Sequence, residues 1–274
     1  MNVIFGERSN LSTSLSLILD DVMLISGRNA NQLLKYQQAG KKINVIINSF
    51  QRNTALNDLS NSRQYVERTL GDLSNIIDVL IEIRDSIGVV IYTSSASVYG
   101  ENSCCYEEDI VHPDSLYSTL KISSEIMVKN YLTNYNINYI IARVFNMYGG
   151  NDSFSIISKI INSYLNDKKL HLVNDGKSVR DFIHISDVCQ IYKKLLKSSY
   201  CGVVNVATGR GYSAKSIIET LHNHSINFAI DNVVRDEING SVASISKLET
   251  IIEHYDLIDV NDYILEKLSL VNNK

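Results

Sequence analysis

The sequence has few cysteines, a single proline and no excess of positive charge. Its 274 residues include four cysteines and carry a formal net charge of −4. Nucleic-acid-binding surfaces need clustered Lys and Arg, so this charge argues against nucleic acid as a partner. The cysteines lack the spacing of metal ligands and indicate free thiols in a reducing compartment, with no metal site. They are Cys104, Cys105, Cys189 and Cys201.

Long hydrophobic runs and linker-like stretches are also missing. The apolar runs are well short of the roughly 18 residues that a membrane-spanning helix requires. The first residues, MNVIFGE, show no basic segment followed by an apolar one. We therefore expect a cytoplasmic protein that does not contact a membrane. With 45% hydrophobic residues, the chain can bury a substantial core.

Short apolar runs alternate with helical patterns in the first half of the chain. This alternation predicts an α/β fold with a Rossmann-like, doubly wound parallel sheet. Strands are predicted near 2–5, 21–25, 44–48, 88–93 and 138–143, and helices near 10–18, 29–39, 63–84 and 116–134.

Three polar residues predict proton transfer at a carbonyl oxygen. Tyr117 and Lys121 are four residues apart, which places both on one face of the predicted helix. An ammonium near a phenol favours the phenolate, so Tyr117 can exchange a proton as general acid or base. Ser95, at the end of a predicted strand, can hydrogen-bond the same substrate oxygen. The alternative is an amphipathic helix with a half-buried tyrosine and a solvated lysine.

Further motifs surround this set in a consistent order. Together with Tyr117 and Lys121, they resemble the extended short-chain dehydrogenase/reductase superfamily, and more narrowly its nucleotide-sugar epimerases, dehydratases and reductases. The resemblance covers residues 1 to about 250. The motifs are SSASVYG at 94–100, RVFNMYG at 143–149, RDFIHISDV at 180–188, VNVATG at 204–209, and RD at 235–236 ahead of SISK at 244–247.

The resemblance implies two lobes and a homodimer. An NAD(P)-binding domain would comprise residues 1–150 plus about 181–204, and a smaller nucleotide-sugar-binding lobe would comprise 151–180 and 205–274. Relatives dimerise through a four-helix bundle that includes the helix of Tyr117. The helix at 63–84 is a candidate for this bundle, although an apolar stripe of this kind more often belongs to the core.

The dinucleotide loop departs from the family pattern of three glycines. Gly6, Ser9 and Ser12 occupy those positions between the first strand and the first helix. Gly6 retains the tight turn, and Ser12 adds a small side chain at a packing position. Either the Ser9 hydroxyl would donate to a phosphate oxygen, or the Ser9 Cβ would displace the dinucleotide. The helix N-terminus near Asn10 still offers N–H groups to an anion, so dinucleotide binding is expected.

The end of the second strand favours NADP(H) over NAD(H). No carboxylate is present there to bind ribose hydroxyls, whereas the guanidinium of Arg28 suits a 2′-phosphate. The alternative is an exposed arginine at the start of a helix. The segment before the third strand is short for the family, and Arg68 stands where relatives usually have an asparagine.

The resemblance also suggests how a nucleotide sugar is bound. Asn146, Arg180 and Arg235 fall at positions that contact the sugar nucleotide in relatives, often its diphosphate, which arginine binds well. Alternatively, each arginine forms a surface pair with the aspartate that follows it, and Asn146 stabilises a turn. His184 matches a position that is usually structural and is left out of the mechanism.

The residues after Ser95 separate three possible reactions. Dehydratases of this family carry an Asp-Glu pair there, and Ala96 and Ser97 cannot replace it. We therefore predict an NADPH-dependent reductase of a nucleoside-diphosphate 4-keto-6-deoxy sugar, which supplies a deoxysugar for surface polysaccharide such as O-antigen. Tyr117 would donate the proton, Ser95 would orient the oxygen, and Lys121 would lower the pKa of Tyr117 and hold the nicotinamide ribose. The alternatives are an NAD-dependent 4-epimerase and a non-catalytic nucleotide-sugar-binding module.

Overall fold

Strands and helices alternate through the computed structural model, which describes residues 1–37, 41–48, 61–253 and 256–272. The strands are β1 Asn2–Phe5, β2 Val22–Ile25, β3 Ile43–Ile47, β4 Ile87–Ser95, β5 Asn102–Cys105, β6 Tyr139–Val144, β7 Asn146–Tyr148, β8 Leu170–Val173, β9 Val179–His184, β10 Gly202–Val206, β11 Gly211–Ser213, β12 Ile230–Val233 and β13 Gly240–Ala243. The α-helices are α1 Asn10–Ser16, α2 Ser62–Glu82, α3 Leu116–Asn134, α4 Ile156–Leu165, α5 Ile185–Leu195, α6 Ala214–Asn223, α7 Ser246–Ile251 and α8 Val260–Asn272.

A six-stranded parallel sheet carries the five strands that the sequence predicts. Its order is β10-β6-β4-β3-β1-β2, and every neighbouring pair is parallel. Its strands are rich in Val and Ile and are largely buried, because helices cover both faces of the sheet. The Rossmann-like, doubly wound fold is thereby confirmed.

The strand order reverses at β1. The chain passes from β1 to β2 on one side and then to β3 on the other, and ligands of such sheets bind at the carboxyl ends beside this reversal. In the usual six-strand order another strand lies beyond β2, whereas β2 is an edge strand in the residues described here. This agrees with the short segment before the third strand.

Helices cover the two faces of the sheet with separate apolar cores. α1 and α5 pack on one face, where Leu11, Leu15 and Tyr192 are buried. α2 and α3 pack on the other face. The apolar stripe of α2 faces this second core, so the stripe belongs to the protein interior. The homodimer stays an expectation from the resemblance alone. The buried stripe residues are Leu73, Ile76, Ile77 and Leu80.

The helix predicted over 29–39 is instead a 3-10 helix over Gly27–Tyr36. Its preceding residue, Ser26, makes no side-chain capping bond, and Asn29 has non-helical backbone angles. Glycine and asparagine are poor helix formers, so the first turn has little local support for an α-helix. Residues 38–39 of the prediction lie outside the described ranges.

A second set of strands stands beyond the carboxyl edge of the parallel sheet. β11, β9, β13 and β5 form one sheet, β7 also pairs with β9, and β8 pairs with β12. The resemblance predicts that a strand and a helix around 181–199 return to the nucleotide lobe, whereas β9 pairs within this second sheet. The return begins with α5 and is completed by β10. Within the described ranges, no helix is long and apolar enough to cross a bilayer.

Candidate active site

A cleft of about 1030 Å³ lies at the carboxyl edge of the parallel sheet. The turn after β1 forms one wall, and the segment from β7 to α4 together with β9 forms the other. Ser95, Tyr117 and Lys121 are not among the residues that line it. They lie next to it, because Ser95 pairs with Val144 and Asn146 of the cleft wall follows two residues later. This is the edge at which open α/β sheets bind ligands.

The structure brings Ser95, Tyr117 and Lys121 together. Ser95 ends β4 and lies close enough to Tyr117, in the first turn of α3, for its hydroxyl to act on the pKa of that phenol. The Lys121 Nζ lies 5.7 Å from the centroid of the Tyr117 ring. α3 starts here because Ser115 and Ser118 form a reciprocal capping box that satisfies its first N–H groups. Two elements distant in sequence therefore present one polar cluster.

Burial sets the proton affinities of this cluster. Lys121 is 3% exposed and donates to the Thr93 carbonyl at 2.8 Å. Its burial lowers the pKa of Lys121 to about 7, although the nearby Glu125 acts in the opposite direction. Burial raises the pKa of Tyr117, and the Ser95 hydroxyl opposes that rise. The sequence predicted a lowered pKa for Tyr117, but it could not reveal how deeply the phenol is buried.

A buried ion pair behind the cluster was missed by the sequence reasoning. Arg143 of β6 donates to both carboxylate oxygens of Glu125, at 2.8 and 3.1 Å, and Ser94 donates to the same carboxylate. Both charged side chains are nearly inaccessible, so each compensates the burial of the other. The sequence held one signal for Glu125: it follows Lys121 by four residues, so both lie on the same face of the helix.

The turn after β1 keeps its glycine for a steric reason. Gly6 has a φ of +96°, and a Cβ on it would lie 2.1 Å from the Asn48 carbonyl oxygen. Ser9 caps α1 by accepting from the Ser12 N–H at 2.9 Å, and its hydroxyl donates to Ser12 Oγ at 2.7 Å. In this conformation the proton of the Ser9 hydroxyl is used inside the protein, and its donation to a phosphate oxygen stays a prediction.

Ser12 anchors a buried chain of hydrogen bonds that the sequence did not indicate. Ser12 Oγ also accepts from Asn48 Nδ2 at 2.9 Å, and Thr93 Oγ1 donates to Asn48 Oδ1. The Tyr192 hydroxyl lies 2.8 Å from Thr93 Oγ1. Because the Thr93 carbonyl also accepts from Lys121, this chain connects the dinucleotide loop to the lysine of the polar cluster. Ser9 and Ser12, which stand at two glycine positions of the family pattern, thus belong to one hydrogen-bond network.

A carboxylate reaches the end of β2 from a different element. Gly27 lies against Asp72 of α2, so close that a Cβ on Gly27 would be 3.2 Å from the Asp72 Cβ. Burial raises the pKa of Asp72, and Arg28 and Arg68 act against that rise. Arg28 itself is exposed. The sequence showed only the missing acid after β2, because the approach of α2 depends on tertiary packing.

Two of the three predicted sugar-nucleotide contacts line the cleft. Asn146 donates to the Asp181 carbonyl at 3.1 Å, and Arg180 donates to the Ile238 carbonyl at 2.8 Å. Arg180 does not pair with Asp181, since neighbouring strand residues point to opposite faces. The Asp181 carboxylate is instead fully buried and accepts from Thr208, Gly209 and Ala243.

Arg235, the third predicted sugar-nucleotide contact, and His184, which was left out of the mechanism, differ in their surroundings. Arg235 is exposed and does not line the cleft, and its backbone is bonded to the Asn174 side chain. His184 caps α5 by accepting from the Ser186 N–H and packs against Tyr148 and Tyr263. Burial lowers the pKa of His184 to about 4. His184 therefore has the structural role that the sequence suggested.

Comparison with known proteins supplies the family. A family model described as the NAD dependent epimerase/dehydratase family matches residues 19–207, a range that begins after Gly6, Ser9 and Ser12. Protein CapI of Staphylococcus aureus is 31% identical over 144 residues, which are 51% of this chain and 42% of that protein. The dTDP-4-dehydro-6-deoxyglucose reductase of Escherichia coli is 23% identical over 168 residues, 58% of this chain and 53% of that protein. The chain spans about half the length of these curated relatives.

Solved structures agree on the fold. A UDP-N-acetylglucosamine 4-epimerase from Methanobrevibacter ruminantium M1 superimposes with a TM-score of 0.82 at 21% identity, covering 100% of this chain and 98% of that one. The dTDP-glucose 4,6-dehydratase DesIV from Streptomyces venezuelae gives a TM-score of 0.85 at 14% identity, covering 100% and 97%. With the sequence match over 19–207, these results establish that the chain belongs to the NAD dependent epimerase/dehydratase family.

Proposed function

We propose that this protein is an NADPH-dependent reductase of a nucleoside-diphosphate 4-keto-6-deoxy sugar. The juxtaposition of Ser95 and Tyr117, with Lys121 one turn further along α3, carries the proposal. The nicotinamide dinucleotide supplies the hydride when it is bound. Tyr117 donates its proton to the keto oxygen, and Ser95 orients that oxygen as charge develops on it. Tyr117 carries its proton at neutral pH, because the ordinary pKa of a phenol is about 10 and burial raises the pKa of Tyr117 further.

The residues of the loop and helix fit a dinucleotide. Gly6 forms the turn beside the point of strand reversal, and the Ser9 hydroxyl is bonded to Ser12 of α1. We infer that this turn holds the pyrophosphate and that Lys121 and Tyr117 hold the nicotinamide ribose. In the cleft, the guanidinium of Arg180 supports binding of the sugar diphosphate, together with Asn146.

The reductase is favoured over a dehydratase by the residues after Ser95. Ala96 is buried and apolar, and the hydroxyl of Ser97 does not exchange protons at neutral pH. The similarity to the Escherichia coli reductase supports the same reading. A non-catalytic binding module is disfavoured, since it has no need of the assembled Ser95, Tyr117 and Lys121.

A 4-epimerase that uses NAD is the second candidate, and Asp72 favours it. A carboxylate near the end of β2 repels a 2′-phosphate and suits ribose hydroxyls, whereas Arg28 favours the phosphate. The choice of NADP(H) over NAD(H) thus depends on the balance between Arg28 and Asp72. The proposed setting is cytoplasmic deoxysugar synthesis for surface polysaccharide by a homodimer, with the nucleotide and sugar lobes divided as the resemblance implies.

Replacement of Tyr117 by Phe tests the mechanism. Following NADPH absorbance with a dTDP- or UDP-4-keto-6-deoxy sugar, we expect the variant to lose about 10²- to 10⁴-fold in kcat. Its dissociation constant for NADPH should rise by no more than about tenfold, because only one contact with the nicotinamide ribose is lost. Tyr131→Phe, at an exposed tyrosine of the same helix, should leave kcat unchanged. Unchanged turnover in Tyr117→Phe would exclude Tyr117 as the proton donor.

A further inference from the structure

Asn10 joins the two walls of the cleft through both ends of its side-chain amide. It is the first residue of α1 and lines the cleft. Its Nδ2 donates to the Gly149 carbonyl at 2.9 Å, and its Oδ1 accepts from the Asn151 N–H at 2.9 Å. One side chain thereby links the dinucleotide loop to a loop that lies about 140 residues later in the sequence.

The loop at 149–151 is shaped to receive this amide. Gly149 and Gly150 have φ values of +92° and +63°, which favour glycine. A Cβ on Gly150 would lie 2.7 Å from Asn10 Oδ1, and a Cβ on Gly149 would lie 2.3 Å from a His184 ring atom. A side chain at Gly150 would push the loop away from Asn10, and one at Gly149 would push it away from His184.

The same loop leads directly into the opposite wall of the cleft. Asp152 accepts from the N–H groups of Phe154 and Ser155 and from the Ser158 hydroxyl, so it fixes the first turn of α4. Phe154 is 58% exposed and lines the cleft. Hydrogen bonds therefore run from the start of α1, through Asn10 and the loop, to the start of α4.

We infer that Asn10 is a positioning residue that makes the dinucleotide and the nucleoside diphosphate of the sugar bind cooperatively. A dinucleotide that fixes the start of α1 also fixes the loop at 149–152 through Asn10. A nucleoside diphosphate that binds beside α4 and Arg180 then has less conformational entropy to lose on binding. The same link sets the separation of the two ligands, on which hydride transfer depends steeply. The identity of the ligands rests on the proposed function.

The test measures binding of one ligand in the absence and presence of the other. By isothermal titration, we expect saturating NADP to tighten UDP binding to the wild-type protein by about fivefold or more. In Asn10→Ala this factor should fall to about one, while the dissociation constant for each ligand alone changes by less than about threefold. With a 4-keto sugar nucleotide and NADPH, kcat should fall by about 10- to 100-fold.

A second variant and a control separate coupling from general damage. Gly150→Ala attacks the same link from the other side, so it should abolish the coupling as well, and the double variant should be no worse than either single one. Ser16→Ala, on α1 but outside the cleft, should retain full coupling. Coupling retained in both Asn10→Ala and Gly150→Ala, or absent from the wild type although both ligands bind, overturns the inference alone. A wild-type protein that binds neither ligand overturns the proposed function with it.

Discussion

At the scale of single residues, the two serines of the dinucleotide loop form a matched pair. Taken one by one, Ser9 and Ser12 look like losses of the family glycines. In the structure Ser9 caps the N–H of Ser12, and Ser12 is the acceptor for the buried amide of Asn48. Sequence reasoning could locate both positions but not their shared partner, because Asn48 follows a different strand.

The first prediction concerns the Ser12 hydroxyl. Ser12→Ala leaves the Asn48 amide without its acceptor in a fully buried site, so the free energy of unfolding should fall by about 1–3 kcal/mol. Urea unfolding measures this change. Ser16→Ala is the matched control, since its hydroxyl bonds only to the Thr13 carbonyl of the same helix, and it should stay within about 0.5 kcal/mol of wild type. If Ser12→Ala is as stable as Ser16→Ala, the hydrogen-bond network does not contribute to the free energy of unfolding.

The second prediction concerns cofactor choice at the end of β2. Asp72→Asn removes a negative charge beside Gly27 and Arg28, so the ratio of NADP to NAD affinity should rise by about tenfold, or roughly 1.4 kcal/mol. Arg28→Ala should shift the same ratio in the opposite direction. Titration calorimetry with both dinucleotides gives the ratio, and Asp78→Asn, at an exposed position of α2, serves as the control. An unchanged ratio in Asp72→Asn would show that its carboxylate does not face the adenosine ribose.

At the scale of elements, α3 combines a catalytic role with a buried charge. Its first turns present Tyr117 and Lys121, and its next turn carries Glu125 into the ion pair with Arg143. The sequence predicted the bounds of this helix, because its capping serines and spacing are local features. It did not predict the burial of Lys121, which depends on the packing of α3 against β4.

The third prediction is a pH dependence that comes from Lys121. The pKa of Lys121 falls from 10.5 to about 7 on folding, so between these values the unfolded chain binds the extra proton and stability from this group rises with pH. The destabilisation due to Lys121 is therefore complete below about pH 7 and disappears as the pH approaches 10.5. Lys121→Met should accordingly be more stable than wild type at neutral pH, with an advantage that shrinks at higher pH.

Urea unfolding of both proteins across this pH range measures the difference. Tyrosines whose pKa is raised by burial are present in both proteins, so their contributions cancel. Lys129→Met, at an exposed lysine of the same helix, should show no such trend. A constant difference between Lys121→Met and wild type would mean that Lys121 stays fully charged in the folded protein.

At the scale of the whole molecule, the sequence predicted the parallel sheet and the polar cluster far better than the walls of the cleft. Strands β1 to β4 and β6 have strong local patterns, and the motifs around Ser95 and Tyr117 identify the family. The cleft depends on contacts between distant segments, such as Asn10 with Gly149. Arg235 shows the same limit, because its motif position alone did not reveal that it is exposed and not among the residues that line the cleft.

The most direct measurement follows a deuterium label from NADPH to the sugar. The protein would be incubated with NADPH labelled on the transferable position of nicotinamide C4 and with a nucleoside-diphosphate 4-keto-6-deoxy sugar. We predict one deuterium at C4 of the sugar for each NADPH oxidised, and loss of this transfer in Tyr117→Phe. The opposite result has two parts: no label is transferred, and a nucleotide sugar with a hydroxyl group at C4 is converted to its C4 epimer without NADPH consumption. That result would contradict the reductase and establish the epimerase.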